Sequence, residues 1–271
     1  MTYESLIPGS EGRPVGLSFV VPARNEAGTV ASVVEACLHA GDVLDVRSEV
    51  LVVDDCSTDS TAERAAGAGA QVLTREGQAS KAHALNLGVT AARGTYLCFA
   101  DADCVGLEGR HLAELASLVV DGDHSMAVGI FDYRVASRIV QRFPWSAGER
   151  VIHRSLFPSN DERLSGYNVE ALINEAVGRS GGTTASLVMD GVCQRTKRDK
   201  LGLRSGLEAT VSMWRAVSGG AGQIDHEAYR RYMDRVVLVE RDGSETRQHR
   251  LAIGIGFRAL VGASRILGTS T

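Results

Sequence analysis

The chain has 271 residues, 44% hydrophobic and 23% charged, enough apolar material for one large core or for one domain with an appendage. A net charge of −4 gives no electrostatic reason to bind nucleic acid, and aromatics at 5% leave few stacking surfaces. Cys37, Cys56, Cys98, Cys104 and Cys193 are odd in number and form no CxxC pair, which argues against a disulfide framework or structural zinc and for reduced thiols in a cytoplasmic protein.

Residues 1–16 read as an irregular lead-in with neither a basic nor an apolar leader region, so no signal peptide is expected. Leu17 to Pro22 reads as a buried strand ended by the proline, and residues 27–40 as a helix with Val30, Val33, Val34, Cys37 and Leu38 on one face. Glu49 to Val53 is a continuous apolar strand running into Asp54-Asp55; Thr58 to Ala68 follows as a helix and Gln71 to Leu73 as a short strand. Ser80 to Ala92 is the next helix, Tyr96 to Ala100 the next strand, 109–120 a helix and Ser125 to Tyr133 a strand. Strands apolar on both faces, alternating with helices, predict an α/β fold with a mostly parallel central sheet flanked by helices. Its acids stand just past strand ends, where open α/β sheets bind ligands.

The second half is less regular. Residues 134–157, with aromatics and arginines, read as a mobile helical segment; Val169 to Val177 as a helix; Thr183 to Val192 as a strand; 205–218 and 224–236 as helices. Between them Arg195, Lys197, Arg198, Lys200 and Arg204 face only Asp199, either as a solvated loop or as an anion site for a diphosphate or phosphorylated acceptor. No stretch of 18 uncharged apolar residues spans a membrane. In the apolar tail, 251–271, Arg258 and Arg265 recur on one helical face; it suits a membrane interface on the inner face, packing on the domain, or a homodimer contact.

Asp101-Ala102-Asp103 places two carboxylates at i and i+2 beyond a buried strand, suited to Mg²⁺ or Mn²⁺ or, more plainly, to capping the next helix. Asp54 and Asp55 can accept hydrogen bonds from a base or ribose, while Ser57 or Thr58 can cap the helix that follows. Lys81, at a helix start, can offset phosphate charge or be a surface lysine.

The segments VPARNE, VVDDCSTDST, SKAHALN and FADAD occur in that order within residues 17–133. Together they resemble the nucleotide-binding half of family 2 glycosyltransferases with the GT-A fold. The resemblance implies a nucleoside pocket at Pro22, Ala23, Arg24, Glu26, Asp54 and Asp55, with Lys81 near the diphosphate. Asp101, Ala102 and Asp103 would meet ribose and metal, Asp103 being the favoured ligand and Asp101 the second. Gly166-Tyr167-Asn168-Val169-Glu170 is similar to an acceptor-side segment of glucosyl-3-phosphoglycerate synthase-like and polyprenyl-phosphate sugar transferases. The first group carries a metal-binding histidine in the basic stretch, where this chain has Gln194, Arg195, Thr196 and Lys197.

The expected activity is transfer of a hexose from a nucleotide diphosphate sugar to a phosphate-bearing acceptor, a polyprenyl phosphate or a small metabolite. Residues 17–133 would serve the donor and 134–250 the acceptor. Asp161, Glu162 and Glu170 are the candidate catalytic carboxylates for taking the acceptor proton, and Arg195, Lys197, Arg198 and Lys200 the candidate anion contacts. The rivals are a nucleotidyltransferase, which would need a Gly-rich loop after the first strand, and a non-catalytic sugar-nucleotide-binding module.

Overall fold

The computed structural model describes residues 16–122, 124–133, 137, 141, 144, 147–166, 168–194, 224–242 and 245–250. The basic cluster, the helix expected over 205–218 and the 251–271 tail lie outside the described residues.

Among the described residues nine strands form one sheet in the order β11-β10-β8-β6-β7-β4-β1-β2-β3. They are β1 (Leu17–Ala23), β2 (Ser48–Asp55), β3 (Gln71–Arg75), β4 (Tyr96–Phe99), β6 (Met126–Phe131), β7 (Arg150–His153), β8 (Thr184–Met189), β10 (Val236–Asp242) and β11 (Glu245–Arg250). β7 and β11 pair antiparallel to their neighbours and the other described pairings are parallel. A separate two-stranded ladder joins β5 (Cys104–Val105) to β9 (Cys193–Gln194).

The helices are α1 (Val30–Leu44), α2 (Thr61–Gly67), α3 (Lys81–Ala91), α4 (Gly109–Val120), α5 (Val169–Ser180) and α6 (His226–Met233). Strand alternation sends Leu17, Phe19 and Val21 to one face, under α1 and α4, and Val20, Leu51 and Leu97 to the other, under α3, α5 and α6. Both faces are therefore dry, and each fully buried leucine contributes about 1.5–3 kcal/mol. Among the described residues no helix is long and apolar enough to cross a membrane.

The α4 boundaries agree with the 109–120 reading, because a reciprocal Glu108–His111 capping box starts the helix. Other expectations change. Pro22 does not end β1, since the β4 ladder stops at Val20 and leaves no bond that needs a Pro22 N–H. Within 134–157, residues 150–153 are not helical but form β7, inserted between β4 and β6. The hairpin β10–β11 extends the sheet beyond what sequence pattern indicated.

β7 carries Arg150, which is 1% exposed. Its guanidinium donates to the carbonyls of Ala147, Pro144 and Glu170 and to the Asn174 side chain, pinning the first turns of α5 to the sheet. Arg150→Ala would strand these buried acceptors; we expect a loss of about 3–4 kcal/mol in urea denaturation. A loss under 1 kcal/mol would show that water satisfies them.

Candidate active site

The carboxyl ends of β1, β2 and β4 lie side by side, with Asp54-Asp55 on one flank of β1 and Asp101 on the other. The loop after β1 is zipped to the turn after β2. Asn25, at φ 55°, donates its backbone N–H to Ser57 Oγ (2.9 Å), and its Oδ1 accepts from the Thr58 N–H (2.8 Å). Glu26 N–H donates to Thr61 Oγ1 (2.8 Å) and Ala27 N–H to Asp59 Oδ2 (3.3 Å). Ser57 and Thr58 thus hold the two loops together instead of capping α2; Asp59 accepts the Thr61 N–H at that helix start (3.0 Å).

This zip sets a floor of Pro22, Ala23 and Glu26, with Arg24 exposed above it. Asp54 is 5% exposed, and its Oδ1 is buried without a hydrogen-bond partner. A buried unsatisfied acceptor is costly unless a ligand completes it. Asp55 is differently employed. It pairs with Arg75 and accepts the Ser80 N–H (2.7 Å), tying β2 and β3 to the start of α3. Ser80 caps that helix by accepting the His83 N–H (3.4 Å).

Lys81, the first residue of α3, is therefore fixed at the root. Its Nζ lies 2.7 Å from Asp101 Oδ1 and 3.0 Å from Glu170 Oε1, on the first turn of α5. The three side chains are 12–20% exposed. Burial works to lower the ammonium's pKa, but the Asp101 and Glu170 carboxylates outweigh it and hold it well above the usual lysine value. One lysine thus joins a donor-side acid to one of the three acids considered as base.

Asp103 is reached from the other side. β5 and β9 pair Cys104 with Gln194, and Gln194 Nε2 donates to Asp103 Oδ1 (2.9 Å). The connection is tight at Gly106, φ 76°, where a Cβ would fall 2.5 Å from the Gly191 carbonyl oxygen. Ala102 is buried between the two acids.

The other two candidate bases stand apart from this lysine. Asp161 is gripped by the Arg163 guanidinium, which also bonds Glu175 (2.9 and 3.0 Å); Arg163 holds the Asp161 carboxyl below its ordinary range. Glu162 is exposed, and no described ion pair links it to Lys81 or Asp101. Arg195, Lys197, Arg198 and Lys200 are outside the described residues, although their stretch begins directly after Gln194.

Two site neighbours carry no signal of this role in the sequence. Gln194 stands out there only as a departure from a family histidine. Glu149, just before β7, is 0% exposed and accepts from Cys104 Sγ (3.3 Å) and the Asp101 N–H (3.4 Å). Burial first, then the nearby Asp101 charge, push its carboxyl up to about 8. Nothing in local sequence pattern distinguishes such an acid from a surface glutamate.

The sheet, the acids at its carboxyl edge and the family match below together place the chain among nucleotide-sugar transferase domains with the GT-A fold. The chain belongs to Glycosyl transferase family 2, whose sequence profile matches residues 18–170. It is similar to the low-salt glycan biosynthesis hexosyltransferase Agl6 of Haloferax volcanii, 36% identical over 113 residues, covering 42% of this chain and 27% of that protein. It is also similar to the glucosyl-3-phosphoglycerate synthase of Mycolicibacterium smegmatis, 35% identical over 133 residues, covering 45% of this chain and 42% of that one. The chain spans less than half the length of these relatives. Among solved structures, it resembles glucosyl-3-phosphoglycerate synthase from Mycobacterium tuberculosis in complex with Mg²⁺ and UDP. The TM-score is 0.63 at 22% identity, covering 93% of this chain and 92% of that chain. The same enzyme with Mn²⁺, UDP and glucosyl-3-phosphoglycerate also gives 0.63 at 22% identity, covering 89% and 88%. At that identity the likeness establishes the fold.

Proposed function

We propose that this protein transfers a hexosyl group from a nucleoside diphosphate sugar to a phosphate-bearing small acceptor, with a divalent cation held at Asp101 and Asp103. The observation that carries the reading is Lys81 held between Asp101 and Glu170 at the carboxyl edge of a family 2 sheet.

The donor set suits the cation. Two carboxylates supply hard oxygen ligands, and Mg²⁺ or Mn²⁺ ordinarily completes its shell with substrate phosphates and water. When bound, the cation would stabilise charge on the departing diphosphate.

The chain's own groups divide the remaining work. Asp54, with its unpartnered buried oxygen, takes a hydrogen bond from the nucleobase, while Pro22, Ala23, Arg24, Glu26 and Asp55 frame that pocket. Lys81, kept cationic, faces the negative charge that develops as the bond from the sugar's anomeric carbon to the diphosphate breaks. An acceptor hydroxyl forms the new bond to that carbon and loses its proton to a nearby base. Glu170 is favoured over Asp161 and Glu162 because it alone of the three shares Lys81 with the donor-side acid.

The acceptor class is supported by charge. Arg195, Lys197, Arg198 and Lys200 follow Gln194 in the sequence, and four cations suit an acceptor phosphate. The M. tuberculosis enzyme is described in complex with phosphoglyceric acid, a ligand of that class.

The test is a panel of UDP-, GDP- and ADP-sugars with Mn²⁺, offered 3-phosphoglycerate, glycerol 3-phosphate or a short polyprenyl phosphate. Acceptor-dependent release of nucleoside diphosphate with a new glycoside is expected. Release of pyrophosphate when a sugar 1-phosphate and a nucleoside triphosphate are offered in their place would mark a nucleotidyltransferase, and binding without turnover a non-catalytic module.

A further inference from the structure

Glu149 poses a problem of cost. Its Oε2 is buried with no hydrogen-bond partner, a defect worth about 1–3 kcal/mol, which an apolar residue would avoid. What it gains is local. Oε1 accepts the backbone N–H of Asp101 and the thiol of Cys104, the two residues that bracket Ala102 and Asp103. One buried oxygen therefore spans the whole acidic turn from beneath.

Gly148 completes the arrangement. A Cβ there would lie 2.8 Å from Asp101 Cγ and 3.0 Å from Oδ1, and closer still to Oδ2. Its backbone is outside the left-handed region, so the glycine is not required by φ. The space above its Cα is filled by the Asp101 carboxylate. That carboxylate, seated against Gly148, presents Oδ1 to Lys81.

We infer that Gly148 and Glu149 are positioning residues for the donor site: Glu149 fixes the backbone of the acidic turn, and Gly148 forms the seat that aims Asp101 toward Lys81 and the cation. The inference rests on the donor-site reading above. Neither residue touches substrate; both act through Asp101 and the turn.

The experiment titrates UDP by calorimetry with saturating Mn²⁺ and again with chelator, alongside thermal unfolding. Gly148→Ala and Glu149→Leu are each expected to weaken Mn²⁺-dependent UDP binding at least tenfold and to raise the Mn²⁺ concentration for half-saturation. Glu149→Gln keeps the acceptor oxygen and should stay within threefold of wild type. Lowered melting temperatures with wild-type UDP affinity in Gly148→Ala and Glu149→Leu would reduce both residues to structural roles and overturn the inference. So would a Glu149→Gln variant as impaired as Glu149→Leu. If Glu149→Leu does not fold, Gly148→Ala and Glu149→Gln decide alone. Absence of Mn²⁺-dependent binding of UDP, GDP and ADP alike in the wild type is a different outcome, which removes the donor-site reading itself and this inference with it; if GDP or ADP binds in place of UDP, the variants are titrated with that nucleotide.

Discussion

Replacing Asp103 by alanine is expected to lower kcat/KM for donor turnover at least about a hundredfold, equivalent to ~2.7 kcal/mol of transition-state stabilisation. The side chain is partly exposed, so the fold should lose under about 1 kcal/mol. That separation makes the variant informative. UDP affinity in the variant should be the same with Mn²⁺ and with chelator. Retained metal dependence would move the cation to other ligands.

Lys81→Ala should injure both stability and catalysis. It leaves Asp101 and Glu170 facing each other without the ammonium that lies 2.7 and 3.0 Å from them. Removing one partner of a fully buried pair costs about 3–5 kcal/mol; with these groups 12–20% exposed, we expect about 2–3 kcal/mol in urea denaturation at pH 7. The pH dependence has a definite sign. The folded-state lysine pKa is raised, so its contribution is fully present below the unfolded lysine value, about 10.4, and fades as pH rises through the folded value. Wild type should therefore keep its full advantage at neutral pH and lose it only in strong alkali. Turnover should fall about a hundredfold as well, because the leaving diphosphate loses a fixed cation. A variant with normal stability and turnover would make Lys81 a bystander.

The donor half was legible in sequence for a physical reason. Strands buried on both faces read as continuous apolar runs, and the acids that end β2 and follow β4 stand out against them. The second half was not, because its placement is non-local. β7 has four residues, begins with an arginine, and exists only because 96–99 and 126–128 offer it two edges. The apolar run Val236–Val239, with Gly243-Ser244 shortly after it, was a readable strand-and-turn signal that a helix reading over 224–236 obscured. Glu149 and Arg150 are charged residues that sequence assigns to the surface; burial makes them part of the frame behind Asp101 and Glu170. Glu170 was legible as an acid near a helix start, but its link to Lys81 spans 89 positions and needed the fold.

Calorimetric titration of the wild-type protein with UDP, GDP and ADP decides whether Asp101 and Asp103 form a metal-dependent nucleotide-sugar site. At least one of these nucleotides should saturate the protein with Mn²⁺ or Mg²⁺ present and bind at least tenfold more weakly when the cation is chelated. Equal affinity with and without chelator, or no binding of any of the three in either condition, would contradict a cation site there.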